Sequence, residues 1–409
     1  MKIRSVTGFV NVGDSIRRAG QPVGQVRAAL EEAGLPVQTT RLATQPLSHL
    51  PGDPLRLAAD LWPQCRDAGF DYLSLGPLLA DAPDADLSRL DLIPDLIRAT
   101  EGVFAAVLTA WRGQGLHLAA IRRTAQIVHE IAHTTEQGFG NLRLAMLANV
   151  GPHAPFFPAA YHDGGPPALA VATESADLAV AAFSQAGSLE EARSRLITAV
   201  ESAAGQIAAL IRPLAARHRI RFVGIDFSLA PFPEEMRSIG AAVERLGVER
   251  FGAPGTLFAA SLLTDCLRRA SFPRCGFSGL MLPLLEDATL AARSREGLFG
   301  INDLLLYSAV CGTGLDTLPP PDLKAHIPQR PILLPGGVLE LSKMQEQLLE
   351  RAGPFVVEDE LFGNMVKADH GHRSFRPPCG NSRRLCGDRG AGIQGQAASR
   401  PGHPLPSRK

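Results

Sequence analysis

Between Gly138 and Glu174 the chain reads GFGNLRLAMLANVGPHAPFFPAAYHDGGPPALAVATE, and His153, His162 and Asp163 stand within it. Imidazoles titrate near neutrality, so this trio offers a general base or a metal ligand. The competing role for His162 is structural: a buried histidine bonded to backbone that helps hold a proline-rich loop. A second arrangement, His129-Glu130-Ile131-Ala132-His133, fits the pattern His-Glu-x-x-His. Its i,i+4 spacing puts both imidazoles on one helix face, with Glu130 as the base of a zinc hydrolase. Glu174 is the candidate third ligand that such a site requires. Yet both histidines only flank the apolar stripe of the helical wheel and Glu130 points away from it. A solvated helix face carrying histidine explains the spelling equally well.

Other groups invite chemistry singly. Asp226 closes the apolar run RFVGIDFS, where an ionised carboxylate costs several kcal/mol unless it is paired. A partner is therefore expected, either in a site or in a structural ion pair. Glu174 ends another apolar run and is an accessory carboxylate or a cap for the helix that follows. Cys311 lies in Val-Cys-Gly-Thr-Gly, where flanking glycines permit close approach of a ligand, although most single cysteines in apolar surroundings are inert. Gly255-Thr256 opens a helix and could hold an anion on free N–H groups or simply cap it. Asn149 and Asp316 complete the set of expected substrate contacts.

The elements that must position these groups follow from hydrophobic period. Leu142–Ala148 and Ala168–Thr173 are short, β-prone buried runs. The loop between them carries Pro155, Pro158, Pro166 and Pro167, each fixing φ and removing a donor, so it is stiff. Phe156, Phe157 and Tyr161 give it an apolar anchor, and a stiff loop between core strands is a natural place to present chemistry. Further strands are expected at Ile3–Val10, Val37–Ala43, Tyr72–Leu75, Val103–Thr109 and Arg221–Ser228, with Phe277–Leu285 a strand or buried run. Helices are expected after Asp14 or Ser15, over Leu55–Ala68, Leu92–Thr100, Leu116–Thr134, Ala176–Ala186 and Leu189–His218, and again over Glu234–Leu246 and Leu257–Ala270, with Ile301–Val310 a helix or buried segment. Ser188 with Glu191 forms a capping box for the long one, which Pro213 is expected to kink or end.

Strands alternating with helices argue for parallel βαβ units, either a closed barrel or a doubly wound sheet. In such folds the working residues gather at C-terminal strand ends, which here collects Asn11, Asn149, Glu174, Asp226 and Ser228 with the loop residue His162. No Gly-x-Gly-x-x-Gly follows the first strand and no P-loop occurs, so nucleotide readings lose support.

The 409 residues are 45% apolar and 20% charged, ordinary for a soluble globular enzyme. Lys plus Arg equals Asp plus Glu, 41 each, so no global field favours nucleic acid or an anionic membrane. Apolar runs are short of the ~20 residues that span a bilayer, and MKIRSVTGFV lacks the pattern of a signal peptide. Six cysteines without regular spacing point to reduced thiols in a cytoplasmic setting. Composition divides the chain into a domain over 1–320, an extension over 321–370 with one helix, and a basic Gly/Pro-rich tail over 371–409. The tail cannot bury enough surface to offset its ordering entropy and is expected to be disordered.

Five segments, IRSVTGFVNVGDSIRRAG, the Gly138–Glu174 stretch, GIDFSLAPFPEE, GTLFAASLLTD and LLLYSAVCGTGLDT, together resemble uncharacterised protein family 0210, also called domain of unknown function 711. The resemblance runs from about Met1 to Pro319. It implies a parallel-rich, ten-stranded α/β barrel related to the pyruvate formate-lyase-like fold, and it brings no established substrate, so no catalytic role is inherited. Nothing from Gly353 to Lys409 resembles the Arg-Val-x-Gly-aromatic loop of glycyl radical enzymes, so radical chemistry is not supported. The family's usual C-terminal portion is replaced here by unfamiliar sequence, as a frameshift or a wrong gene model would produce, leaving the barrel incomplete at that end. The helix before GFGN lacks the His-Glu-x-x-His spelling as a family hallmark, which weakens the zinc reading.

The expectation is a cytoplasmic α/β barrel acting on a small molecule, with His162 and Asp226 as acid and base, Glu174 accessory and Cys311 lining the site. Asn149, His153, Gly255, Thr256 and Asp316 are expected to bind the substrate. The alternatives are the zinc hydrolase of His129, His133 and Glu174, and a non-catalytic protein binding an amino acid or carboxylate. No cofactor is identified, and a homo-oligomer is compatible with the composition.

Overall fold

The computed structural model describes residues 1–80 and 85–314. Asp316, the extension over 321–370 and the tail over 371–409 lie outside the described residues. The chain runs β1 (Lys2–Phe9), α1 (Ile16–Glu32), β2 (Val37–Ala43), α2 (Pro54–Asp67), β3 (Tyr72–Leu79), α3 (Ile93–Ala99) and β4 (Val103–Trp111). It continues through β5 (Gly115–Leu116), α4 (Leu118–Thr134), β6 (Leu144–Ala148), β7 (Ala168–Glu174), α5 (Ala176–Ser184), α6 (Leu189–His218) and β8 (Arg221–Asp226). Then come α7 (Ile239–Arg245), α8 (Thr256–Arg269), α9 (Ala288–Arg295) and α10 (Ile301–Cys311).

The strands form one mixed, mostly parallel eight-stranded sheet in the order β5-β4-β3-β2-β1-β7-β8, with β6 also paired to β4. Strands β1 to β4 and β6 run one way, whereas β7 and β8 run parallel to each other and antiparallel to β1. This sets the positions of all functional groups. Phe9 at the end of β1 pairs with Ala168 at the start of β7, so C-terminal ends of the first group meet N-terminal ends of the second.

Alternation along the strands explains the layering. Val6, Leu42, Leu73, Val107, Leu169 and Val171 belong to the large core shared with the helices. On the other face Phe9, Ala43, Ala168 and Ala170 pack instead with Phe157 and Ala160 of the proline-rich loop. Loop residues Ala154, Phe157, Ala159, Ala160 and Tyr161 are buried. The loop is tied down by Ser5 and Thr7, which donate to the Pro155 carbonyl at 3.3 Å each, and by Ser74, which donates to the Ala160 carbonyl at 2.8 Å. A loop this rich in proline has few donors to satisfy, which is what lets it lie against the sheet.

Local signals mostly act as the sequence dictates. Ser15 and Ser188 accept from backbone N–H groups of their first turns. Helix α6 continues through Pro213 to His218 and does not end there. Its buried stripe Leu196, Val200, Ala204, Ile207, Ile211 and Ala215 spans the proline, and that packing outweighs one lost backbone bond. The stretch 277–285 forms a single isolated bridge, at Leu280, rather than a strand. Helix α7 starts at Ile239, after Ser238 caps it. Buried Asp287 accepts from Ser238 and from the N–H groups of Ile239, Gly240, Thr289 and Leu290, so one carboxylate caps both α7 and α9. No helix among the described residues is long and apolar enough to cross a membrane.

Candidate functional site

His153, His162, Asp163 and Arg221 meet at the sheet end that carries the C-terminal end of β2 and, beyond β1 and β7, the N-terminal end of β8. His162 is placed by its N–H, which donates to the Thr44 carbonyl at 2.8 Å just beyond β2. The His153 N–H donates to the Tyr161 carbonyl at 2.8 Å, and the Tyr161 hydroxyl donates to the Val150 carbonyl at 2.9 Å, so the loop closes on itself. His153 has φ of +67°, a left-handed conformation uncommon for a residue with a Cβ. Its ring meets Phe9 edge-on at 5.1 Å between centroids. Both imidazoles are buried, while Asp163 is exposed.

His153 Nε2 lies 3.0 Å from His162 Nδ1. His162 Nε2 is 2.9 Å from the Gly165 carbonyl, which can only accept, so that nitrogen carries hydrogen and the neutral ring presents a lone pair at Nδ1. Asn11 Nδ2 donates to the same carbonyl at 3.1 Å. Asp163 Oδ1 stands 3.5 Å from His153 Nε2 and 3.5 Å from His162 Nδ1, and it accepts the Gly165 N–H at 2.8 Å. Arg221 Nη2 lies 3.1 Å from His153 Nε2 and 3.4 Å from Asp163 Oδ2.

Burial lowers the pKa of His153 to about 4, against the pull of Asp163 and with help from Arg221 and His162. Burial also lowers that of His162, opposed by the Gly165 carbonyl and by Asp163. Burial works against the charge on Asp163, but the Gly165 N–H, both imidazoles and Arg221 more than offset it and hold its pKa below the usual range. At neutral pH the cluster is thus two uncharged bases, one carboxylate and one guanidinium. Among the described residues, His153, His162 and Asp163 are the one group of three whose potential ligand atoms lie within 4.8 Å of each other.

The other expected site residues lie elsewhere. Asp226 is buried at the far end of β8, where it accepts from the Ser228 hydroxyl at 2.6 Å and from the Phe277 and Ser278 N–H groups at 2.9 Å each. Its oxygens are thereby committed to holding a turn. Burial raises its pKa, against the pull of those donors. Cys311 shares that region: its carbonyl accepts the Leu280 N–H at 2.7 Å, and its buried Sγ accepts from the N–H groups of Thr313 and Gly314 at 3.3 and 3.2 Å. Glu174 is buried and bonded to Arg237 and to Gln38. The carboxylate is thereby taken up in an ion pair, and among the described residues it does not join His129 and His133. These two histidines are exposed and stack on each other at 4.2 Å on α4, and Glu130 faces Arg98 at 3.4 Å. Gly255 at φ +106° precedes α8, and Thr256 is buried, its hydroxyl donating to the Ala253 carbonyl and accepting the Gly252 N–H. Asn149 is exposed after β6, with φ +58°.

Sequence reasoning missed two arginines. Arg221 opens β8, and its only sequence signal is a charge at the start of an apolar strand. Arg41 lies in β2, whose residues are all buried. Its Nε donates to Thr39 Oγ1 at 2.8 Å, and its guanidinium lies over the rings of Phe157 and Tyr72 at 5.2 and 5.8 Å. Burial lowers its pKa to about 10, and it forms no ion pair among the described residues.

The family described as "Uncharacterised ACR (DUF711)" matches residues 1–326 of the chain. The UPF0210 protein MK1214 of Methanopyrus kandleri is 31% identical over 320 residues, covering 73% of this chain and 70% of the relative. The UPF0210 protein of Halothermothrix orenii is 29% identical over 331 residues, covering 76% and 73%. That of Sulfurisphaera tokodaii is 26% identical over 348 residues, covering 77% of each.

Proposed function

This chain belongs to the uncharacterised DUF711 family, and from that premise we propose that it is a cytoplasmic small-molecule enzyme working at the cluster of His153, His162, Asp163 and Arg221. The observation that carries this reading is the 3.0 Å approach of two buried, uncharged imidazoles at a sheet end. His162, anchored through Nε2–H, offers Nδ1 as a base, and His153 stands ready to share the proton. The half-exposed Arg221 supplies donors for an anionic or carbonyl oxygen of a substrate. A base beside an oxygen-stabilising cation suits proton abstraction next to a carbonyl or carboxylate.

We read the sheet as part of a ten-stranded barrel of the pyruvate formate-lyase-like type. Two parallel strand groups meeting antiparallel at β1 and β7 support this, as do the bridges Ile225–Arg274 and Leu229–Leu280, which continue the second group past β8. In that reading the proline-rich loop lies on the inner face, and the histidine cluster sits at one mouth.

The test is incubation of the protein with a panel of amino acids and small carboxylic acids, following substrate loss by NMR. Turnover that a His162→Ala variant loses supports the proposal. A ligand that shifts the melting temperature yet is never consumed would instead mark a binding protein using the same cluster.

A further inference from the structure

The three atoms His153 Nε2, His162 Nδ1 and Asp163 Oδ1 form a triangle with edges of 3.0, 3.5 and 3.5 Å. In a tetrahedral site with bonds of about 2.0–2.1 Å, neighbouring ligand atoms stand about 3.3–3.4 Å apart. The triangle therefore has the size of one face of such a tetrahedron, and an ion just above its plane reaches all three atoms at ordinary bond lengths. The octahedral alternative, with the same bonds at right angles, calls for edges of about 2.8–3.0 Å and fits only the shortest one.

We propose that His153, His162 and Asp163 bind a divalent transition ion of the zinc class, with the fourth position open toward Arg221. The inference rests on the reading of this same cluster as an active site and changes it in one respect: with the ion bound, His162 Nδ1 and His153 Nε2 are ligands, and an ion-bound water would take the place of His162 as the base.

Three further observations support it. Two neutral imidazoles and one carboxylate are the donor set that zinc takes in open, catalytic sites. His162 has its outer nitrogen fixed on the Gly165 carbonyl, as a metal-bound imidazole requires to hold its ring orientation, and Asn11 braces that carbonyl. Without an ion, a neutral His162 directs its Nδ1 lone pair at His153 Nε2, while Arg221 directs a donor at that same Nε2. His153 Nε2 cannot donate to one and accept from the other at once, and a cation satisfies both lone pairs. Arg221 opposes the ion by charge, but its side chain is 49% exposed and is able to swing outward.

The test uses the full chain, stripped with a chelator and titrated with Co2+ and Zn2+ in the absence of substrate. One equivalent of Zn2+ and the intense visible absorption of tetrahedral Co2+ are expected. Asp163→Asn, a change at an exposed position, should weaken binding at least tenfold without loss of fold by circular dichroism. His162→Gln should abolish it, and Arg221→Gln should tighten it. His129→Ala should leave it unchanged. Absence of stoichiometric uptake, uptake that survives His162→Gln and Asp163→Asn, or uptake lost in His129→Ala would overturn the proposal. Turnover by the stripped protein with no metal uptake would sink the metal site and leave the acid–base reading standing. Uptake without turnover of any panel compound would do the reverse.

Discussion

His162 and Asp226 stand toward opposite ends of one sheet. The first hangs from the Thr44 carbonyl just past β2, while the second ends β8, which runs the other way. Arg221, five residues before Asp226, is the residue that reaches His153, and at ~3.3 Å per residue this puts Asp226 about 16 Å from it along the strand. The carboxylate and the imidazole therefore cannot exchange a proton directly, and the titratable groups within reach of His162 are its own neighbours, His153 and Asp163.

Asp226 is expected to be structural. Asp226→Asn replaces an acceptor by an NH2 group facing donors at Ser228, Phe277 or Ser278, and it should destabilise the fold by about 2–3 kcal/mol in urea titrations. Gly276→Ala should act likewise, since its φ is +59° and an added Cβ would fall 2.2 Å from Asp226 Oδ2. At a temperature where both variants remain folded, zinc affinity at the His153–His162 cluster should equal that of the parent. A tenfold loss of affinity would tie Asp226 to the site.

Glu174 is expected to matter through Arg237. Removing Glu174 leaves Arg237, whose side chain is 17% exposed, with Glu234 at 3.6 Å as its remaining ion-pair partner, so Glu174→Ala should cost about 1–3 kcal/mol. Glu174→Gln with Arg237→Met removes both charges and should recover most of that loss, as read from denaturation midpoints. If the single variant instead folds as well as the parent but loses turnover, the carboxylate belongs to the chemistry.

Most of the fold was legible because its signals are local. Ser15, Ser188 and the short β-prone runs of β1, β2 and β7 declare their elements without reference to partners. The proline-rich loop also declared itself, and His153, His162 and Asp163 were legible as a trio because they share one stiff segment. What stayed hidden depends on contacts between distant residues. Nothing near Glu174 in the chain announces Arg237, and nothing near Asp163 announces Arg221. Asp226 illustrates the point: its buried carboxylate required partners, but only the fold reveals that they are backbone N–H groups of a turn 51 and 52 residues on.

The spelling His129-Glu130-x-x-His133 should prove inert. Both imidazoles are exposed, and His133 Nδ1–H donates to the His129 carbonyl at 2.8 Å. Glu130 and Arg98 form a half-exposed pair worth about 0–1 kcal/mol. The double variant His129→Ala, His133→Ala should stay within about 0.5 kcal/mol of the parent in a urea titration and keep its turnover. Loss of activity at unchanged stability would reinstate a site on α4.

The histidine cluster should also make stability depend on pH. His153 has a folded pKa of about 4 against 6.5 when unfolded, and that of His162 is lowered as well, so the unfolded chain binds more protons between these values. Stability is therefore complete above pH 6.5 and is lost as pH falls toward 4. His153→Asn removes one titrating group while tolerating the left-handed backbone at +67°, and His162→Gln removes the other. Urea midpoints measured with a chelator at pH 7.0, 5.5 and 4.5 should fall steeply for the parent and less steeply for each variant. A double variant with the parent's slope would show that protonation of this pair does not unfold the protein.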